Sequence, residues 1–457
     1  LKAGSAVPVT SVGGIVWPAL PHAAAQTMLA AQFQLDRSQW WAPELLRQRQ
    51  LDQLRALFGF ALAQAPYYRT LAGRHHPALP RNLQELTWES FAQWPLLRKA
   101  DLHEHGAALL AAGLPPDHGG SSWQITSGST GEPVRCAVST VAQFFRSALH
   151  MRNLLWHEFD FSLTYANIRH GLKQAERAGG WGLAPNVAFE TGPGISLPAS
   201  TDIEAQLDWL IAEAPGYVHA PASNLRALLL QSRAAGRRPA RIDALLSYAE
   251  SVPADLRALA REVWDTRLID TYSCTEAGIL ALQCPSHDHY HQQAETAIVE
   301  VLRADGSPCA PGETGRVVVT DLVNFAMPLI RYELGDYAQV GEACGCGRGL
   351  PVLTRVAGRE RNMAVDPTGR RFWPSFPEET WFDAAPLRGL RMVQHTPLEI
   401  EICYVMEREL DGAERARLTA AFRDNLAYPF EFRYTRVASI ARAPGEKFEE
   451  FVSLCAP

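Results

Sequence analysis

Asp270-Thr271-Tyr272-Ser273-Cys274-Thr275-Glu276-Ala277-Gly278 closes a short apolar run, 268–271, and opens a polar one. A strand that ends in such residues presents them at its carboxyl end, where open α/β sheets bind ligands. A Tyr ring can stack on a flat base. A Thr hydroxyl and a Glu carboxylate can address a phosphate and its divalent cation. The same residues would also serve as a solvated strand-to-helix turn.

Working outward, helical spacing of apolar residues marks 44–65, 140–157, 203–213, 222–234 and 254–264, and short apolar runs lie at 297–302 and 317–320. Helices alternating with strands predict an α/β architecture. Beyond Gly358 the texture changes. The turn Asp366-Pro367-Thr368-Gly369 leads to a strand at 399–405, a helix at 412–425 and a strand at 432–440, an α+β unit of about a hundred residues. The boundary is placed at 357–362, giving expected domains 1–357 and 358–457.

A chain of 457 residues has room for two or three cores. Apolar residues make up 47% and charged residues 20%, which excludes wholesale disorder. A net charge of −6 gives no basic excess to hold a nucleic-acid backbone. No apolar run is long enough for a membrane span, and 6–20 is too broken by Pro and Gly for a signal peptide. Eight cysteines, unevenly spread, point to a reducing, cytoplasmic setting rather than a disulfide framework. Of 43 basic residues only Lys2, Lys99, Lys173 and Lys447 are lysines. Lysines that survive in so Arg-rich a chain are candidates for places that need a compact ammonium.

Three further segments carry chemistry. Thr126-Ser127-Gly128-Ser129-Thr130-Gly131-Glu132-Pro133 packs hydroxyls and glycines as phosphate loops do, without the Walker A lysine. Arg331-Tyr332-Glu333-Leu334-Gly335-Asp336 places a carboxylate after a Gly turn, suited to ribose hydroxyls. Pro444-Gly445-Glu446-Lys447-Phe448 carries an ammonium that can neutralise charge developing between a carboxylate and an α-phosphate. Each alone would also serve as a plain turn or solvated terminus.

Together and in this order these segments resemble the adenylate-forming superfamily of acyl-CoA synthetases, adenylation domains and luciferases, in its phenylacetate–CoA ligase-like branch. Gly312-Glu313-Thr314-Gly315, Leu97-Arg98-Lys99-Ala100-Asp101-Leu102 and Ser247-Tyr248-Ala249-Glu250 are similar to further family segments, the last lining the adenine pocket. The resemblance covers about residues 50–457. It implies the family fold: a large multi-sheet N-terminal α/β domain and a small, mobile α+β C-terminal domain. It also implies that Thr126, Ser127, Gly128, Ser129, Thr130 and Gly131 hold the ATP phosphates, with Ala249 and Glu250 at the adenine. Tyr272 would stack on the base, Thr275 contact the α-phosphate, and Glu276 bind Mg²⁺. Asp336 would hold the ribose with Arg359 nearby, and Lys447 would stabilise the adenylation transition state. Two positions depart from the family pattern: Arg361-Asn362 stand where acidic hinge residues are usual, and Glu446 intervenes between Gly445 and Lys447.

Cys284, Cys344 and Cys346 with one imidazole make a Cys₃His set, a closed structural zinc site. The spacing in related ligases selects His291, while the residues alone leave His287 and His289 open. Cys274 lacks an evident partner base and reads as a passive small residue. His157 and His170 are assigned no role. The stretch 189–195 falls where acyl-pocket loops lie in relatives. The expected reaction is ATP-dependent conversion of an aryl or arylacetic acid to acyl-AMP and pyrophosphate, then transfer to CoA. An amine or a carrier protein as acceptor, and a non-catalytic zinc-clamped nucleotide-binding protein, are the alternatives.

Overall fold

The apolar run at 268–271 is two strands, not one. Arg267–Ile269 ends a six-stranded sheet and Thr271–Cys274 edges a seven-stranded one, with Asp270 between them. The computed structural model describes residues 7–73, 82–125, 134–253, 255–359, 362–372, 374, 381, 384–387, 389–426, 428–438, 440 and 451–455.

The six-stranded sheet runs Glu176–Ala178, Gly194–Pro198, Tyr165–Arg169, Tyr217–Pro221, Ala244–Tyr248, Arg267–Ile269, with every neighbouring pair after the first parallel. Parallel neighbours need crossovers, and the helices Ile203–Glu213, Ala222–Ala235 and Leu256–Trp264 supply them. Side chains alternate between the two faces. Val218, Ala220, Leu245 and Leu268 pack with the crossover helices. Tyr217, Ala244, Leu246 and Ile269 pack with Ala23–Ser38 and Thr140–Trp156. Burial on both faces is why these strands read as nearly continuous apolar runs.

The helices at 140–157, 203–213 and 222–234 lie within a residue of their expected limits. The Ser139 hydroxyl caps Thr140–Trp156 by accepting from Ala142 N at 3.2 Å, and Asp202 caps Ile203–Glu213 from Glu204 N at 2.9 Å. Ala23–Ser38 lies in a segment that shows only Ala, Pro and Gly enrichment; its buried stripe of Ala25, Met28, Ala31, Gln32 and Leu35 has helical spacing but little bulk.

The seven-stranded sheet is antiparallel, in the order Ala297–Leu302, Thr314–Asp321, Tyr332–Val340, Val352–Arg359, Tyr290–Gln292, Gly278–Gln283, Thr271–Cys274. The strand Val352–Arg359 ends inside the interval 357–362. A four-stranded sheet, Glu431–Arg436, Glu399–Val405, Gly389–Gln394, Phe451–Ser453, packs with helix Gly412–Asn425 around Met392, Ile400, Ile402, Leu418 and Phe422. Among the described residues no helix is long and apolar enough to cross a membrane.

Candidate active site

The junction at Asp270 is pinned from both sheets. Its carboxylate accepts from the Ser247 hydroxyl and, at 2.6 Å, from the Tyr290 hydroxyl. Ser247 precedes Ala249, which takes a left-handed φ of 65°, a conformation that costs an L-residue about 1 kcal/mol. That reversal carries the chain to Glu250, whose carboxylate accepts from the backbone N–H and hydroxyl of Ser223 at 2.7 and 3.0 Å, at the start of Ala222–Ala235.

Tyr272 is only 7% exposed, and its hydroxyl donates to Asp336 Oδ2 at 3.0 Å. Burial first, then the Asp336 charge, pushes the phenol well above its usual pKa, so it remains a donor. Arg359 pairs with Asp336 across the strands, its Nε 3.4 Å from Oδ1. Asp336 does not follow a simple turn. Gly335, at φ 79°, sits inside Tyr332–Val340, where the pairing jumps from Val318↔Glu333 to Arg316↔Tyr337. The bulge needs the left-handed residue and turns Asp336 towards Tyr272.

Thr275 and Glu276 occupy a tight reversal between Thr271–Cys274 and Gly278–Gln283, where Cys274 pairs with Gly278. This is a hairpin, which removes the alternative of a solvated strand-to-helix turn. Arg146, on Thr140–Trp156, donates to the carbonyls of Thr275 (3.1 Å) and Glu276 (3.0 Å). A Cβ on Gly278, itself at φ 76°, would lie 2.7 Å from Arg146 Cγ and Nε, so this glycine is required twice over. Burial first, then the Glu276 charge, pushes the Cys274 thiol well above its usual range, which disfavours the reactive thiolate.

The same guanidinium reaches a third segment. Arg146 donates at 2.6 Å to Gln124 Oε1, on Ser121–Ile125. That strand pairs with Arg135–Ser139, and Ile125↔Arg135 ends the ladder on either side of the hydroxyl-rich sequence 126–133. Asn324 holds the second strand: Oδ1 accepts from Ser139 N at 3.1 Å and Nδ2 donates to Ala137 O at 2.9 Å. Arg331 is buried against Glu300 and donates to Trp94 O at 2.6 Å, anchoring the strand that bears Asp336. Neither Arg146 nor Asn324 stood out in the sequence. Thr126, Ser127, Gly128, Ser129, Thr130, Gly131, Arg361, Glu446 and Lys447 lie outside the described residues.

No family model matches the chain. It is 26% identical over 342 residues to the phenylacetate-coenzyme A ligase of Thermus thermophilus, covering 70% of this chain and 72% of that one. A structure of 2-hydroxyisobutyryl-CoA ligase in the postadenylation state with 2-HIB-AMP superposes with a TM-score of 0.73 at 18% identity, over 92% and 91% of the two chains. The anthranilate CoA ligase AuaEII with anthranoyl-AMP gives 0.54 at 15% identity, over 71% and 65%. The chain has the fold of these adenylate-forming ligases and is similar in sequence to a phenylacetate–CoA ligase. Its α/β fold of several sheets is that of these ligases.

A cluster of soft donors links the turn after Gly278–Gln283 to the segment after Tyr332–Val340. Cys284 and Cys344 Sγ atoms are 3.9 Å apart, and His287 Nδ1 is 3.5 Å from each. Tetrahedral zinc, with Zn–S near 2.3 Å and Zn–N near 2.0 Å, separates its donors by about 3.8 Å for S···S and about 3.5 Å for S···N. Cys346 Sγ lies 3.4 Å from His291 Nε2. One donor atom each from Cys284, His289, His291 and Cys344 also falls within 4.8 Å of the others, and the buried Nε2 of His289 has no partner. Burial pushes the Cys344 thiol up to about 12 and holds His291 down to about 4, the neutral ligand form. The donor set fits zinc, with more imidazoles within reach than the single one expected.

Proposed function

We propose that the chain is an ATP-dependent, AMP-forming acid–CoA ligase acting on an aryl or arylacetic acid. The observation that carries this is the meeting of four separated segments through Arg146 and Asp336. Arg146 ties the strand before 126–133 to Thr275 and Glu276, and Asp336 joins Tyr272 to Arg359. The postadenylation ligase with its acyl-AMP, and a thioesterification complex of the same enzyme with CoA (TM-score 0.60, 19% identity), supply the analogy for the two half-reactions.

In the first step a carboxylate oxygen attacks the α-phosphorus, the acyl–phosphate bond forms, and pyrophosphate leaves with the bonding pair. Both reactants are anionic, so the site must position and neutralise rather than supply a covalent group. Thr126–Gly131 would cradle the β- and γ-phosphates, and Thr275 would contact the α-phosphate. Glu276 would hold the Mg²⁺ that screens the triphosphate. Ala249 and Glu250 would border the adenine, Tyr272 would stack on the base while its hydroxyl steadies Asp336 for the ribose, and Lys447 would neutralise charge at the reacting oxygens. In the second step a thiolate of CoA attacks the acyl carbon and AMP leaves. Residues 358–457 would rotate between the steps as a unit distinct from 1–357. Zinc on the Cys284–Cys344 cluster would clamp the hairpin after Glu276 to the segment after Asp336. The setting is reducing and cytoplasmic.

The test is pyrophosphate release over an acid panel, with and without CoA, and mass identification of the product. Acid-dependent release followed by a CoA thioester is the expected result. An amide or a loaded carrier in place of the thioester overturns the second step alone; no release with any acid overturns the reading.

A further inference from the structure

A cavity of about 320 Å³ opens beside the Thr275–Glu276 hairpin, between Thr140–Trp156 and Leu183–Ala188. Arg146 lines the end next to the hairpin, its two terminal nitrogens on Gln124 and the two carbonyls and its buried Nε without a partner among the described residues. His150 lies one turn further along the same helix, about 5.4 Å on. Trp181 and Tyr165 form an aromatic wall, their rings 5.1 Å apart, and Trp181 Nε1 is spent on Leu163 O at 2.7 Å. The wall therefore offers ring faces.

The polar atoms at the far end differ from those near Arg146. Ser147, His150 and Tyr165 line the cavity, and their polar side-chain atoms make no hydrogen bond among the described residues. His219 stands behind Tyr165, with 6.1 Å between ring centroids. Burial holds both imidazoles below the usual histidine range, His219 at about 3, so this end carries no charge. Polar groups that line a cavity without a protein partner are available to a ligand. An uncharged cluster cannot repay the desolvation of a second carboxylate or an ammonium, whereas a hydroxyl or a neutral amine fits both donors and acceptors.

We infer that the acid is a single-ring aromatic acid with a neutral hydroxyl or amino substituent on the ring edge away from the carboxylate, read by His150 with Tyr165 and Ser147. The inference rests on the acid-activation reading above. The Arg146 end adjoins the Thr275–Glu276 hairpin, the Tyr165–Trp181 wall offers a face to one ring, and the far end reads the substituent.

Acid-dependent ATP–pyrophosphate exchange tests it, with benzoic and phenylacetic acids, their 3- and 4-hydroxy and amino forms, terephthalic acid, and short aliphatic acids. The wild-type enzyme is expected to prefer a hydroxy or amino form over its unsubstituted parent by tenfold or more in kcat/KM, with terephthalic acid inert. His150→Phe and Tyr165→Phe are each expected to collapse that preference about tenfold, mainly through KM; the second deletes a single oxygen and guards against misfolding of the first. Exchange that favours unsubstituted, dicarboxylic or aliphatic acids, or variants that keep the preference, overturns the inference and leaves acid activation standing. Exchange with no acid removes both.

Discussion

The Tyr272 phenol and the Asp336 carboxylate share a hydrogen bond of 3.0 Å that joins the edge strand of the large sheet to the bulge in Tyr332–Val340. With Arg359 on the other oxygen, the carboxylate is held from two sides. A hydrogen bond to a charged group contributes about 1.5–3 kcal/mol. Tyr272→Phe is therefore expected to weaken ATP binding about tenfold or more while leaving the fold intact, and titration calorimetry with ATP measures it. Unchanged affinity would show that Asp336 is not held for the nucleotide.

Arg146 makes its three contacts with a planar fork, which a single ammonium cannot reproduce. Arg146→Met is expected to lower adenylation at least tenfold and stability by about 1–3 kcal/mol, since three half-buried acceptors lose their donor. Arg146→Lys is expected to recover little of either. Urea unfolding and exchange assays on the two variants give the comparison.

How much of this was legible in the sequence depended on side-chain bulk and on distance along the chain. The crossover helices stood out because Leu207, Leu210, Leu225, Leu228 and Leu229 mark the buried face at helical spacing. The reversal at Thr275–Glu276 left a solvated strand-to-helix turn open because nothing local reveals that Gly278 must pair with Cys274 under Arg146. Arg146 itself was illegible: an arginine on a helix reads as solvated face until tertiary packing brings Gln124 and Glu276 to it. Asn324 binds residues nearly two hundred positions away, beyond any local pattern. The cysteine cluster was legible as a set, while the choice among His287, His289 and His291 depends on how the hairpin 284–291 folds.

For the metal, about one zinc per chain is expected by elemental analysis. Cys284→Ser and Cys344→Ser, which remove the two thiols 3.9 Å apart, are each expected to lose it and lower Tm by about 5 °C or more. A chelator should reproduce the shift in the wild-type protein. A metal-free preparation with unchanged Tm would contradict the clamp.

Asp321 gives a pH prediction. Burial raises its carboxyl to about 6, above the roughly 3.9 of an unfolded chain. The folded state thus takes up the proton first, and this group costs stability above about pH 6, a cost that disappears as pH falls towards about 4. Oδ1 accepts from Val323 N and Asn324 N, bonds an amide oxygen would keep. Asp321→Asn is expected to stabilise the protein at pH 7.5 by about 1–3 kcal/mol, with the gain vanishing towards pH 4. Urea melts at the two pH values decide it; a destabilised variant at pH 7.5 would show that Asp321 is charged for a purpose.

The central claim is that these segments form one cleft for in-line attack of a carboxylate on ATP. Acid-dependent exchange of labelled pyrophosphate into ATP, in the wild-type enzyme, Glu276→Gln and Lys447→Ala, measures that step directly. The account predicts exchange that requires both acid and Mg²⁺ and falls about a hundredfold or more in each variant. Exchange absent with every acid, or variants as fast as wild type, would contradict it.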